Sequence, residues 1–332
     1  MKKDLSKLVT PTLDSNTSDD RDFLEAKVWT ETIEGEVNPP IVPKCFLGAW
    51  YRKVFSSKDY WLGIEGTITL GEFIPDEKRF GYDNRVSYKR YLDSPSIYMG
   101  GFSLTESDAG LGLMSGYEYE NQDIEINYGT PKIAYRPFWR YIYSEVVDVA
   151  GNVERNNVNS WNTSDPRHFD FYYFPGDKIK MSVYAPIKNY LQLRIELIEK
   201  TKIEKYVKIR NRFNLKRHNR TFYSPLFYSE GHGDNKVAEF KRVNSIDQYG
   251  NEGFVVSETK AKVTKAVWES VYLYREIDGE IYKVPFDEKR QTNMACPNKE
   301  TFKIKTLKNG GEEITIEPVP LKRNDKEWKK SY

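Results

Sequence analysis

The chain has 332 residues, enough for one large β domain with additions or for two domains. Its 51 basic and 49 acidic residues leave a net charge of +2, so no strong overall field favours non-specific binding to nucleic acid or to membranes. Hydrophobic residues make up 39% of the chain and aromatic residues 14%, and no stretch approaches the roughly 18 consecutive apolar residues of a membrane helix.

The N-terminal residues and the two cysteines give information about the cellular compartment of the protein. The first residues carry charge without an apolar core, so no signal peptide is visible. This predicts a chain that stays inside the cell or is released by lysis, unless its N-terminus has been trimmed. Cys45 and Cys296 are the only cysteines, too few for a disulfide framework or a zinc site. We expect two reduced, partly buried thiols, with a single long-range disulfide as the alternative.

Composition divides the chain into three parts. Residues 1–45 are predicted to form an extended N-terminal arm, because they contain a polar run over 14–22 and a Pro-rich segment over 38–43. Residues 46–320 are predicted to form a β-sandwich domain with a C-terminal β extension, and residues 321–332 a basic tail. We expect the arm to dock on its own body or on a neighbouring subunit, and the second arrangement would produce self-association.

From residue 46 onwards, short runs of aromatic and β-branched residues alternate with Gly, Pro, Asn and Asp. Strands are predicted over 46–55, 61–74, 97–104, 133–149, 168–174, 178–185, 191–198, 260–276, 280–285, 301–307 and 312–319. Residues 178–185 and 191–198 alternate apolar and polar side chains around a turn, which indicates a half-buried hairpin. Asn309-Gly310-Gly311 indicates a tight turn between the last two strands. Many short strands with regular turns predict an all-β antiparallel sandwich.

A densely basic segment covers residues 200–220, where nine lysines and arginines alternate with apolar residues. Such a segment could bind an anionic polymer, either nucleic acid or an acidic glycan. We favour an exposed hairpin whose lysines protect a sheet edge from aggregation, so nucleic acid is not an expected partner.

Four segments stand out by their order and spacing: Trp61-Leu62-Gly63-Ile64-Glu65-Gly66, Ser107-Asp108-Ala109-Gly110-Leu111-Gly112-Leu113, Tyr135-Arg136-Pro137-Phe138-Trp139-Arg140-Tyr141 and Phe174-Pro175-Gly176-Asp177-Lys178-Ile179-Lys180-Met181. Together they resemble the motifs of the glutamic peptidase (eqolisin) family, which shows W-V-G-I-D-G, L-Q-x-G, Y-x-A-W-Y-E-W-Y-P and G-D-x-I strands. The resemblance covers roughly residues 46–200. It implies a concanavalin-like β-sandwich of the jelly-roll type.

The resemblance also implies where catalytic residues would stand. The family uses a Gln and a Glu on neighbouring strands, the carboxyl as general acid and base on a water and the amide on the oxyanion. Asp108 occupies the Gln position and Arg140 the Glu position. Because an arginine cannot take up a proton, we expect no catalytic residues, a salt bridge between Asp108 and Arg140, and a retained scaffold without peptidase chemistry.

Metal sites have little support in the sequence, and no cofactor is expected. Asp14, Asn16, Ser18, Asp20, Asp22 and Glu25 have the spacing of a calcium-binding EF-hand loop, but Asp19 replaces its glycine and the flanks are not helical. We therefore favour a solvated acidic arm. The histidines at 168, 218 and 232 show no metal-ligand spacing, and His232, in a Gly-His-Gly-Asp loop, is expected to be structural or solvated.

Aromatic residues near predicted loops indicate a sugar-stacking surface. The candidate ligand-binding residues are Tyr117, Tyr119, Trp161, Asn162 and Asp165, with Tyr128, Tyr172 and Tyr173 nearby. Sugar C–H faces pack on aromatic rings while Asp and Asn bind hydroxyls, although Tyr and Trp also fill cores and subunit interfaces.

Three functions remain open. The first is a structural, self-assembling protein, such as a coat, inclusion or crystal-forming subunit, that uses its N-terminal arm for subunit contacts. The second, nearly level with it, is a carbohydrate-binding, lectin-like module, which would show an open groove lined by Tyr and Trp. The third is a diverged glutamic-peptidase-like hydrolase with Asp108, Glu65 or Glu118 as carboxylates, two of which would have to meet in one groove.

Overall fold

The computed structural model describes residues 22–40, 44–82, 88–113, 118–119, 134–143, 146–147, 153–154, 158–164, 169–212 and 221–321. Its strands in chain order are β1 (Lys27–Val28), β2 (Ala49–Phe55), β3 (Trp61–Thr69), β4 (Glu72–Ile74), β5 (Phe80–Tyr82), β6 (Tyr88–Tyr91), β7 (Ser94–Phe102), β8 (Glu106–Leu113), β9 (Glu118–Tyr119), β10 (Tyr135–Tyr143), β11 (Val146–Val147), β12 (Val153–Glu154), β13 (Val158–Thr163), β14 (Lys178–Ile187), β15 (Tyr190–Glu199), β16 (Phe222–Tyr223), β17 (Phe227–Tyr228), β18 (Glu239–Asp247), β19 (Lys262–Ile277), β20 (Glu280–Pro285), β21 (Thr292–Cys296), β22 (Phe302–Thr306) and β23 (Glu312–Ile316). The other described elements are the α-helix α1 (Glu204–Arg212), a helical turn at residues 22–24, and 3₁₀ turns at Glu77–Arg79, Phe169–Phe171, Tyr249–Asn251 and Lys299–Thr301.

Two large sheets pack face to face, so the predicted antiparallel β-sandwich is confirmed. One sheet has seven strands in the order β13-β10-β8-β7-β18-β2-β21. The other runs β1-β20-β19-β3-β14-β15-β16, with β17 on β15, β4 and β23 on β19, and β22 on β23. Buried side chains from both sheets form one continuous core, as expected when one face of each sheet turns inward.

Polar contacts also tie the two sheets together. Trp268 of β19 donates its indole N–H to the side-chain oxygen of Asn244 in β18 over 2.7 Å. The carboxylate of Glu312 lies 2.5 Å from Arg52 and 3.1 Å from Arg242, and all three side chains are buried. Both arginines belong to the seven-stranded sheet and Glu312 to the other, so each ionic contact crosses the sandwich.

Both turns predicted from sequence are present. Strands β14 and β15 form a hairpin in which Asn189 has a φ of +64°. Strands β22 and β23 pair around Asn309 and Gly310, whose φ angles of +51° and +71° are those of a hairpin turn with two left-handed central residues. Asn and Gly adopt such angles at the lowest steric cost, which is why both turns could be recognised.

The described part of the basic segment contains the helix α1 (Glu204–Arg212) instead of the predicted hairpin. Tyr206 and Arg210 of α1 point inward with Ile203, at the spacing of three and four residues that makes one helix face. Arg210 forms an ion pair with Asp177, whose side chain is fully buried. The segment is therefore held to the body by buried contacts, which the alternation of basic and apolar residues did not reveal.

Two other expectations need correction. Residues 169–171 form a 3₁₀ turn instead of part of a strand, and the tyrosines that follow, Tyr172 and Tyr173, are about 1% exposed and belong to the core. They are not available as a sugar-binding surface. Trp161, placed near a loop by its polar neighbours, lies inside strand β13.

The described part of the N-terminal arm packs on its own body. Phe23 is buried between the rings of Tyr184 and Tyr274, at centroid distances of 4.8 and 5.1 Å. Strand β1 extends the larger sheet by pairing in parallel with β20, and Glu36 forms a 2.6 Å ion pair with Arg290. The arm thus closes a sheet edge that would otherwise expose unpaired backbone groups.

Cys45 and Cys296 form a disulfide, so the expectation of two reduced thiols is wrong and the alternative holds. Cys296 ends the edge strand β21, and Cys45 lies just before β2, the neighbour of β21 in the sheet. Sequence spacing could not reveal this pairing because 251 residues separate the two cysteines. In the described parts of the chain no helix is long and apolar enough to cross a membrane.

Replacing Cys296 by Ser is expected to lower the free energy of unfolding by about 3 to 5 kcal/mol, because the disulfide restricts a long loop of the unfolded chain. Urea unfolding of the oxidised protein with and without reductant measures this, and the Cys45→Ser/Cys296→Ser variant serves as the control that reductant should not affect. Alkylation of both cysteines in the untreated, folded protein would contradict the pairing.

Candidate ligand-binding groove

A cavity of about 440 Å³ opens on the face of the seven-stranded sheet that is turned away from the core. Its lining residues are Phe46, Leu47, Gly48, Ala49, Lys53, Ser96, Tyr98, Glu106, Asp108, Phe138, Arg140, Trp161, Lys241, Asp247, Gln248, Tyr249, Glu252 and Gly253. Strand residues form its floor, and the segments 46–48 and 248–253 form one wall. We call this cavity the groove.

One part of the floor is a row of residues that are paired in register on neighbouring strands; we call it the charged row. Backbone pairing aligns Trp161 with Arg140, Arg140 with Asp108, Asp108 with Gly100, and Gly100 with Lys241. Gly100 has no side chain to separate its neighbours, so Asp108 and Lys241 meet above it. A Cβ atom at position 100 would collide with the carbonyl oxygen of Ser107, which explains the glycine.

Asp108 is clamped between two cations. Its Oδ2 lies 3.1 Å from Nε of Arg140, and its Oδ1 lies 2.7 Å from Nζ of Lys241. Glu106 binds the same lysine at 2.5 Å, and Glu252 approaches Arg140 at 4.0 Å. The salt bridge expected between Asp108 and Arg140 is therefore present.

These contacts fix the charge states of the row. Burial disfavours the charge on Asp108, but Lys241 and Arg140 outweigh it and lower the pKa of the carboxyl. Burial likewise acts against the charge on Lys241, but Asp108 and Glu106 raise the pKa of its ammonium. The lowered pKa favours the ionised form of Asp108, and Arg140 cannot act as a base.

Next to this row lies an aromatic row. Tyr98 and Phe138 face each other across Gly110 with their centroids 6.1 Å apart, in an edge-to-face arrangement. Trp161 stacks on Phe138 at 4.6 Å with an interplanar angle of 10°, yet it remains 40% exposed at the rim. Tyr249 meets the edge of Trp161 at 6.0 Å.

Asp247 stands at the other end of the groove. Its Oδ2 accepts hydrogen bonds from the hydroxyls of Ser96 (2.6 Å) and Ser245 (2.8 Å), which themselves lie 2.6 Å apart. Burial raises the pKa of Asp247 from its ordinary 3.8 to about 6, although the two hydroxyl donors oppose this. Lys241 and Asp247 are six residues apart on β18, but the Asp247 carboxyl reaches back along the strand to Ser245 and Ser96, and Asp108 and Arg140 act on it electrostatically.

Backbone hydrogen bonds, an aromatic stack and the disulfide stabilise the wall of the groove. The N–H of Gln248 donates to the carbonyl of Gly48 over 2.8 Å, and Gly253 donates to Leu47 over 3.2 Å. Phe46 stacks on Tyr51 at 3.8 Å, immediately after the disulfide-bonded Cys45. The disulfide thus anchors the start of this wall to the edge of the sheet.

The residues predicted to bind sugar are only partly brought together. Trp161 lies at the rim of the groove, whereas Asn162 alternates to the other face of β13, opposite Trp139. Tyr119 belongs to β9 in a separate three-stranded sheet, and its side chain is not described. Tyr117 and Asp165 lie outside the described residues.

The other candidates fall elsewhere. Glu65 lies in the larger sheet, with Lys283 at 3.0 Å and the hydroxyl of Tyr274 at 2.8 Å, and so does not share the groove with Asp108. Glu118 is described only in its backbone. His232 is buried, its Nδ1 is hydrogen-bonded to Ser229, and burial lowers its pKa to about 4, as expected of a structural histidine.

Most of the candidate calcium-binding residues lie outside the described part of the chain. Asp14, Asn16, Ser18 and Asp20 lie outside the described residues, while Glu25 is described and exposed. Within the described ranges, no group of three or more His, Cys, Asp or Glu side chains could hold a metal ion.

Sequence reasoning missed Lys241, Asp247 and Tyr249, because no strand was predicted over residues 239–247. The outward residues of β18, Lys241, Val243, Ser245 and Asp247, are mostly polar, which a strand exposed on one face permits. The inward residues include Arg242 and Asn244, so the usual apolar alternation is broken.

Comparisons with known proteins point to one group of structures. No protein-family model matches the chain, and no curated protein matches it. Among solved structures, scytalido-glutamic peptidase with a peptide-based transition-state analog matches at 9% identity and a TM-score of 0.42, over 80% of this chain and 97% of that chain. A second structure of that peptidase, with a transition-state analog inhibitor, matches at 12% identity and a TM-score of 0.42, over 81% and 98% of the two chains.

SCP-B, a member of the eqolisin family of peptidases bound to the tripeptide Ala-Ile-His, matches at 10% identity and a TM-score of 0.40, over 80% and 97%. These proteins belong to the family whose motifs the sequence resembles. At such identities and TM-scores, their activity remains a property of those proteins, and the function of this chain has to be argued from its own groove.

Replacing Asp108 by Asn is expected to destabilise the fold by about 3 kcal/mol, because Arg140 would lose its buried counterion. In a double-mutant cycle with Arg140→Met, the coupling free energy should be at least about 1 kcal/mol in favour of the intact pair. Urea unfolding of the four proteins measures it, and additive effects of the two substitutions would show that the clamp is not an energetic unit.

Asp247 should give a distinct pH dependence to stability. Because the pKa in the folded state lies above that of the unfolded chain, the folded state binds the proton more tightly. The contribution of this group therefore favours folding below about pH 4 and is lost as the pH rises through about 6. Between pH 4 and pH 7, the free energy of unfolding of Asp247→Asn should therefore rise by on the order of 2 kcal/mol relative to that of wild type. A stability difference that does not change between these pH values would contradict this assignment.

Proposed function

We propose that this chain is a non-catalytic carbohydrate-binding protein and that the groove is its saccharide site. The observation that supports the proposal is the position of Trp161, 40% exposed at the rim of the groove and backed by Phe138. A partly exposed ring that is stacked on a second aromatic ring suits the C–H face of a sugar.

The polar groups below the ring complete this arrangement. Glu106, Asp108 and Lys241 provide both donors and acceptors within one cavity, and the hydroxyls of a sugar need both. Their mutual ion pairs hold the side chains in place before a ligand arrives, which reduces the entropy lost on binding.

The same geometry favours binding over hydrolysis. Asp108 is held ionised by two cations, and the neighbouring Arg140 cannot exchange a proton. Asp247 has a pKa of about 6, which would suit a general acid, but the carboxylate that acts on it, Asp108, is engaged by Arg140 and Lys241, which weakens it as a base. The alternative of a diverged hydrolase therefore ranks below binding.

The structural, self-assembling role stays a prediction. Residues 22–40 of the arm contact their own chain, while residues 1–21 and 41–43 lie outside the described residues. No feature of the described arm favours a neighbouring subunit as its partner.

Replacing Trp161 by Ala is expected to weaken saccharide binding at least about tenfold, because an exposed aromatic platform commonly dominates a small interface. A glycan array on the full-length protein would identify a ligand, and titration calorimetry would compare the variant with wild type. Tyr60→Ala is the matched control, since Tyr60 is 56% exposed and does not line the groove. If no glycan binds, or if the folded Trp161 variant binds as well as wild type, the proposal fails.

A further inference from the structure

We propose that the saccharide carries a free, protonated amino group, and that Asp247 binds this ammonium at the end of the groove. The inference rests on the proposed function and specifies the class of sugar: an oligosaccharide that contains unacylated amino sugar, such as glucosamine. It follows from the charges that line the groove and from the contacts of each one.

The groove has one more carboxylate than it has cations. Four acidic residues line it (Glu106, Asp108, Asp247 and Glu252), against three basic residues (Lys53, Arg140 and Lys241). When all are ionised the lining carries a net negative charge, which attracts a cationic ligand.

Each of these cations already has a carboxylate partner. Lys241 lies between Glu106 and Asp108, and Arg140 binds Asp108. Lys53 lies 3.5 Å from Glu239, which is not part of the lining. None of the three is left to neutralise a further acid.

Asp247 is the lining carboxylate that forms no ion pair among the described residues, although Arg140 acts on it at longer range. Across the parts of the chain that the structure describes, no lysine, arginine or histidine lies within 4.0 Å of its oxygens, and its hydrogen bonds come from two neutral serine hydroxyls. A half-buried carboxylate in such a setting is stabilised by any cation that reaches it.

Aromatic rings surround the same end of the groove. Tyr98, Phe138, Trp161 and Tyr249 line it, and ring faces attract ammonium groups. Rings and a carboxylate together therefore suit an amino sugar better than a neutral sugar. The rings pack against the C–H face of the sugar, and the carboxylate binds its ammonium group.

The electrostatic neighbours of Asp247 agree with this arrangement. Besides Ser96 and Ser245, the groups that act on it are Asp108 from β8 and Arg140 from β10, and it in turn raises the pKa of Tyr98 from β7 and of Tyr249 from the wall. Burial keeps the pKa of Asp247 near 6, so an ammonium ligand would find it charged only above that pH.

The test compares three tetramers by titration calorimetry on the full-length protein: glucosamine, N-acetylglucosamine and glucose, the last two without a charged amine. The glucosamine tetramer should bind at least about tenfold more tightly than either, as expected for a charge-assisted hydrogen bond. Its affinity should rise as the pH increases through about 6 and fall again where the ligand amine loses its proton.

Asp247→Asn keeps the shape and an acceptor for the serine hydroxyls but removes the charge. It should abolish both the preference for glucosamine over the other two tetramers and the rise in affinity near pH 6. Glu288→Gln removes an exposed carboxylate outside the groove and should change none of these values.

The outcomes separate the two proposals. If the three tetramers bind equally and Asp247→Asn has no effect, the groove is a saccharide site and only the inference about the amine is wrong. If no saccharide binds, the proposed function fails and the inference fails with it. If tetralysine binds through Asp247 at least as tightly as the glucosamine tetramer, the assignment to amino sugars is overturned in favour of a cationic peptide.

Discussion

The groove depends on one buried carboxylate held between two cations. Asp108 reaches Arg140 on one neighbouring strand and Lys241 two strands away, and the second contact exists only because Gly100 lies between them without a side chain. Two positive charges thus face the one negative charge of Asp108, and Glu106, which lies 2.5 Å from Lys241, supplies the second negative charge that balances the cluster. Asp247, which also lines the groove, has a pKa of about 6, so its charge can change near neutral pH.

The wall above this floor is stabilised separately. The segment 46–48 follows a disulfide-bonded cysteine, and the loop 248–253 is bound to it through backbone hydrogen bonds. A binding site that is assembled before its ligand arrives loses less entropy on association. The groove therefore has a rigid floor of strands and a wall that is attached at the sheet edge.

Elements that are specified by local sequence patterns could be predicted, whereas those that depend on contacts between distant residues could not. The sandwich and the hairpins were predictable because alternation and Asn-Gly turns are local. The pairing of Asp108 with Arg140 was also predictable, since it required only an alignment of neighbouring strands. The disulfide could not be inferred because it joins two distant segments of the chain that only the complete sheet brings together. The helix at Glu204–Arg212 was missed because its inward residues include an arginine, whose partner Asp177 lies far away in the sequence.

Strand β18 was not predicted because its inward face carries polar residues. The same residues link the groove to the core. Its inward face carries Arg242 and Asn244, which bind Glu312 and Trp268 of the opposite sheet, while its outward face carries Lys241 and Asp247. Because side chains alternate, a slip of one residue would move the groove's charges into the core and the core's polar contacts to the groove. The polar contacts between the sheets therefore fix the register of β18, and the same register places Lys241 and Asp247 in the lining of the groove.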